Sequence, residues 1–249
     1  MNKPKISIIT ITYNSEKTLE ETIKSVISQD YDNLEYLIID GKSTDGTLDI
    51  VEKYRNKISF VLSEPDRGIS DAFNKGIKYA TGEIIGIINS DDLLLPGALT
   101  AIAKAYDETI DVYSGNIIFF GDGRKEKTCI PDIKFDKLEL QYKVAHPGRF
   151  IRKSAYMKWG LYAIDLRYKM DIDLLVRFYK NGAKFFHVDT PVARFRRGGA
   201  TSSSLFDKKK DYYIFVERNG WSKSQFKIIW AQAIFKDIAK RIAHCFHII

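Results

Sequence analysis

Cysteine is almost missing. Cys129 and Cys245 are too few and too far apart for a disulfide framework or a four-ligand zinc site, so a reducing cytoplasm is the expected setting. No run reaches the roughly 18 consecutive apolar residues that a spanning helix needs, which argues against an integral membrane protein. Lys3-Pro4-Lys5 before Ile6–Thr12 imitates a leader, but the stretch is short, contains Ser7, Thr10 and Thr12, and lacks a small-x-small cleavage site. It reads as a strand. A Gly-rich phosphate loop with its Lys is also missing, as is Gly-x-Gly-x-x-Gly after that strand. Any nucleotide must therefore be held by another device.

What is present describes a folded α/β chain. Of 249 residues, 45% are hydrophobic, enough for a core and too many for general disorder. β-Branched runs alternate with helix-period segments: strands at Ile6–Thr12, Leu34–Asp40, Ile58–Leu62 and Glu83–Asn89, with helices between them. This argues βαβ units and a mostly parallel sheet flanked by helices. A hairpin from Asp111 to Ile130 should turn at Gly121-Asp122-Gly123, and a helix should run from Asp171 to Lys180. Charge divides the chain. Residues 1–125 carry 14 Lys/Arg against 20 Asp/Glu, and the remaining 124 carry 25 against 12. An acidic half suits a divalent cation, whereas a basic half suits phosphate, anionic lipid or nucleic acid.

Open α/β sheets bind ligands at the carboxyl ends of their strands, where Thr12, Tyr13, Asp40 and Asp91-Asp92 all fall. Two adjacent carboxylates repel one another, which is tolerable when a hard cation bridges them to a ligand's phosphates. Helix capping ahead of Pro96 is the plain alternative for Asp92.

Four stretches in order resemble family 2 glycosyltransferases of the GT-A, Rossmann-like fold. They are Ser7–Asn14, Asp40-Gly41-Lys42-Ser43-Thr44-Asp45-Gly46-Thr47, Glu64–Gly76, and Asn89-Ser90-Asp91-Asp92. The likeness continues through His146-Pro147, Asp171-Ile172-Asp173-Leu174 and Arg196–Ser202. It is nearest to bacterial enzymes that build colanic acid, capsule and O-antigen units. The resemblance implies an inverting transfer of one sugar from a nucleotide-sugar donor, UDP-linked, with Mg²⁺ or Mn²⁺ as cofactor. Tyr13 would stack on the base, and Asp40 would lie near base and ribose, although Gly41 stands where many relatives have a second acid. Asp66, Asp71, Asn74 and Lys75 would serve ribose, diphosphate or loop order. Asp92 is the better candidate for direct metal coordination, with Asp91 on ribose or metal. Asp171 would be the catalytic base. His146, Arg194, Arg196 and Arg197 would meet the acceptor or a diphosphate. No Gln-x-x-Arg-Trp segment of the processive relatives is present.

The expected organisation is a glycosyltransferase domain over 1–205, with a nucleotide-sugar half (1–110) and an acceptor half (111–205), then a basic amphipathic helical tail over 206–249. Residues 221–249 carry Lys223, Lys227, Lys236, Lys240 and Arg241 against Asp237 alone. Trp230, Ile234, Phe235, Ile238, Ile242 and Phe246 would supply an apolar face. The acceptor implied by the resemblance is a sugar on a polyprenyl diphosphate, so the tail would dock on the anionic inner face of a bacterial membrane. That apolar face could instead pack on the protein or form a homodimer. The rival classes are a nucleotide-sugar-binding protein without turnover and a nucleic-acid-binding protein. Carboxylates at the ligand edge would repel a nucleic-acid backbone, so no nucleic-acid partner is expected.

Overall fold

The computed structural model describes residues 3–135, 143, 146–198 and 208–245. Nine strands form one sheet: β1 Ile6–Thr12, β2 Leu34–Asp40, β3 Phe60–Ser63, β4 Ile84–Ile87, β5 Leu93–Leu94, β6 Val112–Phe120, β7 Lys127–Cys129, β8 Arg149–Arg152 and β9 Phe185–Arg196. Their order is β3-β2-β1-β4-β8-β6-β9-β5, with β7 beside β6. β3, β2, β1 and β4 are all parallel. β8 then enters antiparallel between β4 and β6, so the sheet is mixed beyond its first four strands.

Alternation along each strand makes two cores. On one face Ile9, Leu37, Ile39, Ile85 and Ile87 pack against Phe73 and Ile77 of α3 (Ile69–Tyr79) and against α5 (Lys153–Trp159) and α6 (Met170–Lys180). On the other, Ile8, Ile38 and Ile84 meet α1 (Leu19–Ile27), α2 (Thr47–Lys53) and α4 (Ala98–Lys104). Side chains two residues apart share a face, so an unbroken apolar run such as β1 serves both layers. α3 comes very close to β1 at Gly76, where a methyl group would fall 2.4 Å from Ile9 Cγ2.

Beyond the expected division at residue 205/206 the chain returns to the main core. α7 (Lys209–Arg218) buries Tyr212, Phe215 and Val216 in the main core. Its Asp211 carboxylate accepts the backbone N–H groups of Arg167 and Tyr168 at 2.7 and 2.5 Å. Only α8 (Lys223–Cys245) has the character expected of the tail. Of the expected Arg197–Ser204 loop, the part from residue 199 lies outside the described residues, as does Phe246.

Candidate active site

The parallel strands deliver their carboxyl ends to one edge. β1 is followed directly by Tyr13, which is 63% exposed. Asn14 then adopts a left-handed φ of 48°. Its amide donates to Ser43 Oγ at 2.8 Å, and its side-chain oxygen accepts from Thr44 N at 2.9 Å. The loops after β1 and β2 are thereby stapled together. Gly41 is needed at this point, because a methyl group there would lie 2.6 Å from Asp66 Oδ2 and 3.4 Å from the Tyr13 ring. Tyr13 and Asp66 thus flank a bare backbone surface, a shape suited to a flat base.

Asp40 is not at that surface. Its carboxylate is fully buried and accepts Ser43 N at 3.1 Å and Ser63 Oγ at 2.6 Å, so it orders the turn, and Asp66 is the carboxylate left on the base side. Several other expected donor contacts are likewise spent inside the protein. Asn74 clamps Tyr162 through both its amide atoms, at 2.9 and 3.0 Å. Lys75 donates to Pro65 O at 2.7 Å and pairs with Glu64 at 3.0 Å, and Asp71 accepts Arg67 N at 3.0 Å. These contacts hold the loop that carries Asp66 against α3. Thr12 is buried, with an Oγ1 that has no protein partner.

Asp91 and Asp92 differ in how far they are buried. Asp92 is 1% exposed, and its Oδ1 accepts the backbone N–H of Arg196 at 2.9 Å. Burial pushes its pKa well up, the neighbouring Asp91 charge adds to this, and the Arg196 amide and Asn89 side chain oppose it. Asp91 is half-buried and keeps its carboxylate available, its pKa also raised by burial against the pull of Arg196. Asp91 is therefore the accessible acid of the pair. Asn89 Oδ1, beside them, is buried without a partner.

Arg196 is the latch of this corner. Its Nε donates to Asp91 O at 3.1 Å and its Nη2 to Glu21 at 2.7 Å, with its guanidinium over the Phe120 ring. Arg194 pairs with Glu126, and Arg197 bonds Lys125 O at 3.1 Å and Asp122 at 3.4 Å. In this structure the three arginines fasten the end of β9 to the β6–β7 hairpin and to α1.

The acceptor side arises from β8. Gly86 of β4 faces Phe150, so the chain just before β8 lies at the carboxyl end of β4. His146 sits there in a short 3₁₀ turn, buried. Its Nδ1 is 3.2 Å from Oδ1 of Asp171, in the first turn of α6 with a partly exposed carboxylate. Asp173, two residues on, faces Arg177 and Arg218 instead, each at 3.9 Å. The sequence reading missed Arg149. It is buried and donates to Ser114 Oγ and to the carbonyls of Asp132 and Lys143. Burial lowers its pKa to about 10, opposed by the Asp132 and Asp171 carboxylates. The only hint in the sequence is an arginine directly before an apolar pair, Phe150-Ile151.

A sheet of this order with acids at its carboxyl edge has known counterparts. The profile described as glycosyl transferase family 2 matches residues 7–158, more than half of the chain. The chain belongs to that family. Among its relatives, EpsE of Bacillus subtilis is 29% identical over 203 residues, covering 78% of this chain and 73% of its own length. The glycosyltransferase GlyG of Streptococcus pneumoniae is 25% identical over 255 residues, covering 96% of this chain and 80% of its own. Among solved structures, S. aureus TarS 1–349 in complex with UDP-GlcNAc superposes with a TM-score of 0.70 at 24% identity, over 92% of this chain and 71% of that one. The fold is thus the GT-A arrangement of this glycosyltransferase family. Asp171 and the three arginines lie beyond residue 158, outside the family match.

Proposed function

We propose that this glycosyltransferase moves one sugar, with inversion, from a UDP-linked donor to a sugar carried on a polyprenyl diphosphate, as a step in bacterial surface polysaccharide synthesis. The observation that carries this reading is selective: at an edge crowded with acids, Asp40 and Asp92 are spent inward while Asp66, Asp91 and Asp171 are left accessible. The base would rest on Tyr13 beside Gly41 and Asp66. TarS, the structural neighbour, holds UDP-GlcNAc, which supports a donor of this chemical class.

Asp91 fits a divalent cation. Among the described residues no three His, Cys, Asp or Glu side chains cluster as a metal cage. Mg²⁺ commonly uses one or two carboxylates together with substrate phosphates, so a single accessible acid is sufficient. Asp91 would hold Mg²⁺ or Mn²⁺ directly, and the cation would neutralise charge on the departing diphosphate. Asp171 takes the proton of the acceptor hydroxyl as that oxygen bonds to the anomeric carbon and the bond to the nucleoside diphosphate breaks. Calorimetry with UDP in Mn²⁺ and in EDTA tests the donor side, and equal affinity in both would remove the cation. Asp171→Asn should leave UDP affinity near normal and lower transfer on the order of a hundredfold; unchanged turnover would remove the base.

The lipid-borne acceptor calls for a membrane face. Among the described residues no helix is long and apolar enough to cross a membrane. α8 is apolar on two sides. Ile229 and Ala233 are buried, and Trp230 packs edge-on against Tyr212 of α7. At ~100° per residue, Ile228, Ala231, Phe235 and Ile238 share the opposite side, and Phe235 is 75% exposed. Trp230 thus leaves the apolar face expected of the tail, while Phe235 and Ile238 remain in it. With exposed Lys223 and Lys227 on the same helix, this side would rest reversibly on the anionic inner face of the cell membrane. Phe235→Ser with Ile238→Ser should abolish sedimentation with phosphatidylglycerol vesicles and leave UDP affinity unchanged. Full-length protein that ignores such vesicles at low salt would sink the membrane role. Deleting 221–249 is the poorer test, since it strips Tyr212 of its cover.

A further inference from the structure

Around Asp171 lies more buried machinery than a carboxylate needs in order to accept a proton. The His146 ring is 7% exposed. It lies flat on Phe73, with centroids 4.4 Å apart and planes 4° from parallel, and Tyr162 closes on it at 6.0 Å. Its Nδ1 meets Asp171 at 3.2 Å, and its Nε2 is buried without a protein partner. The charged and titratable groups around this pair come from four places: Arg149 of β8, Tyr156 of α5, Tyr162 before α6, and Lys169 at the α6 N-terminus.

We propose that His146 is the positioning residue of the reaction: it donates its Nδ1 hydrogen to Asp171 Oδ1 and leaves Oδ2 to receive the acceptor proton. This deepens the reading of Asp171 as the base and rests on it. A base is ionised before it acts, so both its oxygens are acceptors. A bare Nδ1 lone pair facing one of them would be repulsive; the hydrogen must lie between the two atoms, and on the nitrogen. The ring is suited to this because stacking on Phe73 fixes its plane, so little side-chain freedom remains to be lost when it bonds. Phe73 also connects the two halves of the site. It belongs to α3, whose Asn74 clamps Tyr162 and whose Asp71 and Lys75 order the loop bearing Asp66. The base is thereby registered against the helix that shapes the donor side.

Two measurements on the full chain test the assignment. In long-range ¹H–¹⁵N spectra of labelled protein, with His146 identified by its contacts to the Phe73 ring, the hydrogen is expected on Nδ1. A hydrogen on Nε2 alone overturns the proposal, and this reading needs neither substrate nor variant. The second is UDP release from UDP-GlcNAc in Mn²⁺. His146→Phe keeps the stack and removes the donor. It should lower kcat roughly tenfold to a hundredfold, less than loss of the base itself, with KM unchanged. The acid limb of the pH profile should move to higher pH, because the ionised carboxylate loses a hydrogen bond. His146→Asn, whose amide can replace the Nδ1 hydrogen, should recover part of the rate, and His146→Phe should add nothing to Asp171→Asn. An unchanged kcat and acid limb in His146→Phe, with Asp171→Asn inactive, refutes the positioning role alone. Full turnover by Asp171→Asn refutes the base and the positioning role with it.

Discussion

Glu35, near the start of β2, and Asp91, just past the end of β4, are acids at opposite ends of the same parallel sheet. Glu35 accepts from Ser7 Oγ at 2.5 Å, Thr81 N at 2.7 Å, Thr81 Oγ1 at 2.5 Å and Lys5 Nζ at 3.1 Å. Burial alone would raise its pKa, but these donors outweigh it and hold the carboxyl at about 2. At the other end burial wins, and both Asp91 and Asp92 are pushed up. A carboxylate whose donors all come from the protein is a structural part. One that is half-buried, pushed up by burial and short of side-chain donors is held ready for something the chain does not itself supply.

The contrast can be broken at either end. The largest effect is expected from Asp91→Asn, which should lower transfer on the order of a hundredfold or more and erase the difference between UDP affinity in Mn²⁺ and in EDTA, with a melting temperature no lower than that of the wild type. A cation effect that survives would return the metal to Asp92. Glu35→Gln should do the reverse: kcat below the melting temperature stays the same, while stability falls on the order of 3 kcal/mol at neutral pH, measured by urea unfolding.

The acid dependence sharpens the comparison. Because the folded pKa of Glu35 lies below its unfolded value, its contribution is fully present above about pH 5 and is lost as pH falls toward about 2. The gap between wild type and Glu35→Gln should therefore narrow across that window; a constant gap would show that the lost stability comes from packing. The smallest effect belongs to Asp92→Asn. A carboxyl whose folded pKa is raised costs stability once it ionises, and asparagine still offers an acceptor to the Arg196 amide. The metal-free variant should be no less stable than wild type at pH 7, by thermal melting, and a large loss would show that the Arg196 contact needs the charge.

The βαβ periodicity of residues 6–88 was legible because each strand and helix there writes its own pattern locally, and the four motifs lie in those elements and the turns beside them. The hairpin at Gly121-Asp122-Gly123 and the helix ending at Lys180 were legible for the same reason. β8 was not, since a four-residue antiparallel strand is defined by its neighbours β4 and β6 and not by its own sequence. α7 was read as part of a tail because burial of Tyr212 and Phe215 depends on a core assembled from distant segments.

The family, the parallel half of the sheet and the list of acids at its carboxyl edge are written in the residues. Which of those acids remain free depends on how distant segments pack. Asp40 and Asp92 look as available as Asp66 and Asp91 in the sequence, but the donors that consume them, Ser63 and the Arg196 amide, lie 23 and 104 residues away. His146 and Asp171, 25 residues apart, are joined only when β8 and α6 pack together. A side chain's residue type fixes what bonds it can make, and the fold fixes which of them are already made.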